Sequence, residues 1–260
     1  MNWIEAMILG LIQGLTEFLP VSSSGHLEIG KYLFGIDPES SFGFSIVVHG
    51  GTVLSTIVVF WQEVWALIRG ALKFKANRET KYVTKILVSL VPVALVGFLL
   101  KERIESFFNG DIVFVGLMLI FTFLFLAAGH FARNRSREIG YLDSLIIGLA
   151  QALAVLPGIS RSGATISTGL LLGNDRGEVA KFSFLMVLVP VIGANTIELI
   201  TGGFSGSENT GAALLIIGFL SAFISGYAAC KWMVSLVKKG KLLWFGIYCL
   251  VIGLVAIVIG

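Results

Sequence analysis

Charge is scarce in this sequence: Asp, Glu, Lys and Arg make up 13% of the 260 residues, while 56% are hydrophobic and the mean hydropathy is +0.90. That excludes an ordinary water-soluble domain, in which charged residues make up about a quarter of the chain. Cysteine is equally sparse. Cys230 and Cys249 lie in apolar segments with no CxxC partner, which leaves neither a disulfide framework nor a thiolate cluster. No stretch alternates apolar and polar residues as the strands of a membrane barrel do. The amino terminus, Met1-Asn2-Trp3-Ile4-Glu5, lacks the basic region and small-residue cleavage site of a removable signal peptide. What is abundant instead is apolar sequence in runs near the roughly 20 residues that cross a bilayer as a helix. The expected class is an all-α polytopic membrane protein.

The net charge of +3 matters less than its placement. Arg69, Lys73, Lys75, Arg78, Lys81 and Lys85 share one connection, Arg133, Arg135 and Arg137 another, and Lys231, Lys238, Lys239 and Lys241 a third. Between membrane segments such clusters mark the cytoplasmic side, so they carry no indication of a nucleic-acid partner. Six crossings are expected, at 42–61, 83–100, 112–131, 179–200, 212–230 and 242–259. The basic connections follow the first, third and fifth, while 101–111 and 201–211 carry little excess positive charge. Alternate loops then fall inside, with both termini outside. Trp61, Trp65, Trp232 and Trp244 sit at the inner ends as interfacial anchors.

Two further apolar segments, 3–19 and 142–156, are each followed by Pro, Ser and Gly and then a short apolar piece. Each must begin and end on one side of the membrane, and the pieces after the break are too short to cross, so two re-entrant helical hairpins are expected. Irregular backbone at that depth is tolerated only beside protein or a watery cavity. An offset of 138 residues aligns the two regions without gaps: Glu5 with Asp143, Gly10 with Gly148, Gln13 with Gln151, Ser22 with Ser160, Ser24 with Ser162 and Gly25 with Gly163. Because the loop charges give the halves opposite orientations, the single membrane domain reads as an inverted repeat, about 1–138 and 139–260. Such folds place their site at the repeat interface, near the midplane.

The polar residues concentrate there. Gln13 and Glu17, four apart, share one helical face. A carboxylate in an apolar hairpin is costly unless it is paired, bonded or functional. After it, Ser22-Ser23-Ser24-Gly25-His26 supplies hydroxyls, a flexible glycine and an imidazole at the start of a helix, where free amides favour anions. On the other hairpin, Arg161 lies between Ser160 and Ser162, followed by Gly163 and Thr165. The guanidinium fork matches phosphate oxygens, although an Arg161–Glu17 ion pair that merely ties the halves together is the competing reading. Glu17, Ser23, His26 and Arg161 form a set suited to phosphoryl transfer. Ser22, Ser24, Gly25, Ser160, Ser162, Gly163 and Thr165 would hold the phosphates. A single carboxylate, Glu17, with Gln13 as a second oxygen donor, suits a hydrated Mg²⁺ or Ca²⁺ shared with substrate phosphates and disfavours zinc. His49 is expected to pack against a neighbouring helix, and Glu28 is left without a role.

The stretch Gln13-Gly14-Leu15-Thr16-Glu17-Phe18-Leu19-Pro20-Val21-Ser22-Ser23-Ser24-Gly25-His26 resembles the Glu/Gln-x-x-x-Glu and Ser-Gly-His motif of the bacterial undecaprenyl-diphosphate phosphatases associated with bacitracin resistance. Pro157-Gly158-Ile159-Ser160-Arg161-Ser162-Gly163-Ala164-Thr165 resembles that family's Pro-Gly-x-Ser-Arg-Ser-x-x-Thr motif. The resemblance implies hydrolysis of a C55 isoprenyl diphosphate to its monophosphate with a divalent cation, recycling the lipid carrier of cell-wall synthesis. It places the protein in the bacterial plasma membrane among its lipids, with the site facing outward. It also implies a catalytic or metal-binding Glu17, a nucleophile and acid/base pair drawn from Ser23 and His26, and Arg161 as phosphate clamp. Gln13 stands where the family motif allows a first acid, so a metal held by two carboxylates is not expected. Which of Ser23 and His26 attacks, the oligomeric state (a dimer included), and a polyprenyl-phosphate flippase using the same residues for binding all stay open.

Overall fold

The computed structural model describes residues 1–36, 41–73, 75–100, 103–104, 106–107, 110–133, 135–201 and 211–260. Five residues of the weakly charged connection 101–111 and nine of 201–211 fall outside this set, as does the side chain of Glu198. Among the described residues there is no strand, and an isolated bridge joins Arg137 to Asn174. Helices α1 (Trp3–Phe18) and α2 (Ser23–Phe34) form the first hairpin, followed by α3 (Phe42–Val59), α4 (Trp61–Ala71), α5 (Arg78–Leu99) and α6 (Ile112–Phe131). The second hairpin is α7 (Tyr141–Leu153) and α8 (Arg161–Leu171), and α9 (Arg176–Met186), α10 (Leu188–Thr201), α11 (Ala212–Lys238) and α12 (Leu242–Ile259) complete the chain.

The two hairpins are built by the same local chemistry. Asn2 caps α1, accepting from the Ile4 and Glu5 amides at 2.9 and 3.0 Å, and Glu5 accepts from the Asn2 amide at 2.7 Å. At the start of α7, Asp143 accepts from the Gly140 amide at 2.9 Å, so Glu5 and its counterpart do the same work. Each first helix stops before a proline. Leu19, preceding Pro20, has ψ of 141°, outside the helical range. Each second helix starts on a serine: Ser22 Oγ accepts from the Gly25 amide at 3.2 Å and Ser160 Oγ from the Gly163 amide at 3.0 Å.

The expected crossings are corrected in two places. The segment 179–200 is two helices, not one, broken at Val187. Pro190 cannot donate to the carbonyl of Met186, and its ring crowds that carbonyl. The segment 42–61 ends its straight run at Val59, and α4 then turns away by 80°. There the sequence changes from uncharged and mostly apolar to amphipathic, with Trp61 stacked on Trp65 at 6.0 Å and Arg69 lying 4.6 Å over Trp65. Four described helices, α5, α6, α11 and α12, are long and apolar enough to cross a membrane, or five if the bent pair counts as one span. The crossing expected at 212–230 extends on to Lys238.

Packing places the hairpins. Without a hydrophobic drive between helices in lipid, close association relies on small residues that let backbones touch. Gly116 of α6 and Gly253 of α12 face each other, an added Cβ on either lying 2.7 Å from the other's carbonyl. Gly10 and Gly14 set α1 against Gly218 and Ala222 of α11, while Gly148 sets α7 against the Ser89 backbone of α5. Each hairpin therefore leans on a long helix from the other half of the chain. The two turns meet as a result: a Cβ on Gly25 would be 3.0 Å from the Gly158 Cα. Gly148→Ala should lower stability by about 1–3 kcal/mol through overpacking against rigid backbone. Gly97→Ala has no atom within 4 Å to meet and should not destabilise, and thermal melts of the two purified variants in detergent would check the contrast.

Candidate functional site

Four helices converge on Glu17. Its Oε2 accepts from Ser23 Oγ at 2.6 Å and from Gln13 Nε2 at 2.9 Å, and its Oε1 accepts from the Arg161 guanidinium. The Gln13 bond follows from the i, i+4 spacing on α1. Ser23 and Arg161 are the first residues of α2 and α8, so the two helix starts point their unsatisfied amides and positive dipole ends into the same space. That space is a cavity of about 410 Å³, with Ser22, Ser23 and Ser24 on one wall and Ser160, Arg161 and Ser162 on the other. The Glu17 side chain is 8% exposed and that of Arg161 25% exposed. The ion pair that competes with a functional reading is thus made. It sits at a cavity wall, however, and shares its carboxylate with a serine hydroxyl, which a simple tie between halves does not require.

The remaining expected residues divide. Ser22, Ser24, Ser160 and Ser162 line the cavity, with Ser22 and Ser24 hydroxyls 3.4 Å apart and Ser160 and Ser162 hydroxyls 3.3 Å apart. The Gly25 and Gly163 amides are already committed to the serine caps, so these glycines shape the turns instead of offering N–H groups to phosphate. Thr165 is fully buried, donating to the Arg161 carbonyl at 2.8 Å and lying 2.6 Å from Ser183 Oγ, so it fixes α8 from behind. His26, expected beside Ser23 as its acid/base partner, is placed elsewhere. Its Nδ1 lies 2.8 Å from the Ser22 carbonyl, its Nε2 2.9 Å from the Tyr248 hydroxyl, and its ring stacks on Tyr248 at 5.5 Å. Helical geometry explains this: at about 100° per residue, His26 is half a turn away from both Ser24 and Glu28, which face the cavity. What His26 does hold is Ser22, whose φ of 72° is unusual for a residue with a side chain.

Four contributors were given no site role by the sequence reading. His49, expected as packing, lines the cavity with its Nε2 3.8 Å from Glu17 Oε2, while its Nδ1 lies 2.8 Å from the Ser45 carbonyl. Thr122 of α6 accepts from the Ser160 amide at 2.8 Å and donates to the Gly158 carbonyl at 2.9 Å, pinning the second turn. Lys31 and Glu28, further along α2, line the same cavity. Of these, His49 carried a signal as an imidazole in an apolar helix, and Glu28 as a carboxylate just after the first motif.

Both Glu17 oxygens are engaged by N–H or O–H donors, and Arg161 already balances the charge. Gln13 turns its amide N–H to Glu17, which leaves its own oxygen buried without a partner and apart from the cavity wall. Among the described residues no three His, Cys, Asp or Glu side chains group to hold a metal. The residues as arranged do not fit the expected divalent ion held by Glu17 and Gln13.

Fold and site together define a multi-pass membrane enzyme whose carboxylate–hydroxyl–guanidinium centre is enclosed between two helical hairpins. The chain belongs to the bacitracin resistance protein BacA family, which matches it over residues 6–255. It is 51% identical to an undecaprenyl-diphosphatase of Parabacteroides distasonis over 260 residues, covering 99% of this chain and 98% of the relative. A protein of the same name from Bacteroides fragilis is 51% identical, covering 100% and 98%. One from Halothermothrix orenii is 37% identical, again covering 100% and 98%.

Proposed function

We propose that the protein hydrolyses undecaprenyl diphosphate to undecaprenyl phosphate and inorganic phosphate, which recycles the lipid carrier of cell-wall synthesis and confers resistance to bacitracin. One observation carries the mechanism: Ser23 donates its hydroxyl proton to the carboxylate that Arg161 grips from the opposite hairpin. Ser23 Oγ attacks the terminal phosphorus and its proton passes to Glu17 Oε2. The bond from that phosphorus to the bridging oxygen breaks, and the lipid monophosphate leaves. Protonation of Glu17 frees the Arg161 fork for the transferring phosphoryl group, where it stabilises the charge together with the two helix starts. Glu17 gives that proton to the departing monophosphate; water then attacks the phosphoserine phosphorus, the bond from phosphorus to Ser23 Oγ breaks, and the proton lost by the water passes through Glu17 to Ser23 Oγ. Ser23 is preferred to His26 as nucleophile because both His26 ring nitrogens are engaged away from the cavity. The names of the relatives do not favour the flippase reading.

The reading includes an inverted repeat, about 1–138 and 139–260, with the hairpins re-entrant, the site open to the outside and both termini outside. It is supported by helix starts 138 residues apart, Trp3 with Tyr141 and Ser23 with Arg161, and by the reciprocal packing of α1 on α11 and α7 on α5. A divalent cation, Mg²⁺ or Ca²⁺, belongs to this reading as a companion of the substrate's phosphates. Purified protein in detergent should release phosphate from farnesyl and longer prenyl diphosphates, and no release with or without added Mg²⁺ or Ca²⁺ would refute the hydrolytic function. If the cation arrives on the diphosphate, EDTA should stop turnover. Glu17→Gln should then lower the rate without moving the Mg²⁺ concentration for half-maximal activity. A large shift in that concentration would instead place the ion on Glu17.

A further inference from the structure

Along α2 from Ser23, at steps of four residues, come Leu27 and Lys31, and all three line the cavity. Lys31 donates to Glu28 Oε1 at 3.2 Å, and the two side chains are only 5% and 7% exposed. A buried ion pair is a poor stabiliser because both ions lose their hydration. This one is also incomplete. Glu28 Oε2 is buried with no partner, and among the described residues the Lys31 ammonium, with three N–H donors, makes that one hydrogen bond. The second hairpin forms without such a pair. At the offset of 138 the matching residues of α8 are Ile166 and Gly169, yet α8 has the same serine cap and nearly the same length.

We infer that Lys31 and Glu28 form a second phosphate subsite in the cavity, distinct from the Ser23–Glu17–Arg161 centre. The Cα atoms of Ser23 and Lys31 are about 12 Å apart along the helix, but a helical lysine leans toward its amino-terminal side, which brings the ammonium back along the cavity toward Ser23. The free N–H groups suit phosphate oxygens, and Glu28 holds the ammonium at the cavity wall. Two sources share this chemistry: the phosphate carried by the prenyl chain, and inorganic phosphate on its way out. The identity of these ligands rests on the hydrolytic reading; the binding itself does not.

Three full-length variants in detergent decide it, by thermal-shift titration with inorganic phosphate and with farnesyl phosphate, alongside inhibition of turnover by each. The double variant Glu28→Gln/Lys31→Met removes both charges together and leaves no lone buried ion. It should weaken at least one ligand about tenfold or more, the usual size of a lost charged hydrogen bond. Lys31→Arg should keep binding close to that of the unaltered protein. Glu28→Gln alone presents an N–H in place of an anionic oxygen and should tighten binding several-fold, a change of sign that a purely structural role would not give. Weakening confined to farnesyl phosphate assigns the site to the lipid-borne group, and weakening confined to inorganic phosphate assigns it to product release. Unchanged constants for both ligands in the double variant would overturn the subsite, as would weaker or unaltered binding in Glu28→Gln should the double variant fail to fold. Absence of any hydrolysis by the unaltered protein would remove the hydrolytic reading while leaving the titrations to decide the subsite.

Discussion

Ser23→Ala is expected to reduce phosphate release to background while substrate still binds. The Ser23 hydroxyl, the proposed nucleophile, donates a 2.6 Å hydrogen bond to Glu17, and no other hydroxyl donates to that carboxylate among the described residues. Loss of a covalent nucleophile typically removes several orders of magnitude in rate, because what is left is transition-state stabilisation by the surrounding donors alone. The intermediate supplies a second readout. Phosphate trapped on the protein by acid quench should remain attached in acid, as a phosphoserine does, and should be absent from Ser23→Ala. Acid-labile phosphate surviving in Ser23→Ala would transfer the role to a histidine. His26 would then have to leave both the Ser22 carbonyl and Tyr248, whereas His49 already faces the cavity.

Arg161→Ala is expected to lower kcat/KM by about 10²–10³-fold, the loss seen when one donor to a developing charge is removed. The change also strips Glu17 of its counter-ion, so folding must be measured beside activity. Arg161→Lys separates the two effects. A lysine can neutralise Glu17 but cannot present a planar fork, so its stability should recover more completely than its rate. Near-normal hydrolysis by Arg161→Ala would reduce the residue to the structural tie that the sequence left open. Equal recovery of rate and stability in the lysine variant would show that charge alone is needed.

Most of the site was legible because it consists of residues out of place. Glu17 and Arg161 stand out in a chain with 13% charged residues, since lipid surroundings make an ion expensive enough to need a reason. The same contrast made Pro20 and Pro157 readable as breaks. Misplaced expectations were those in which direction, not identity, mattered. His26 lies one helical turn from Ser23, yet its ring is bonded to the Ser22 carbonyl and Tyr248, while His49 is 32 positions beyond Glu17 and reaches it across a helix interface. Thr165 and Gly163 carry motif chemistry but spend it on their own helix.

The sequence by itself determined that this is a helical membrane protein with two proline-broken hairpins, because hydropathy, turn residues and loop charges act locally and can be read in order. Only the tertiary structure decided that Glu17 lies between Ser23 and Arg161, that 179–200 is two helices, and that Lys31 and Glu28 share the cavity. These depend on how far glycine-lined helices approach and how each is rotated about its axis. Such quantities are set by packing among distant segments, which no local pattern records.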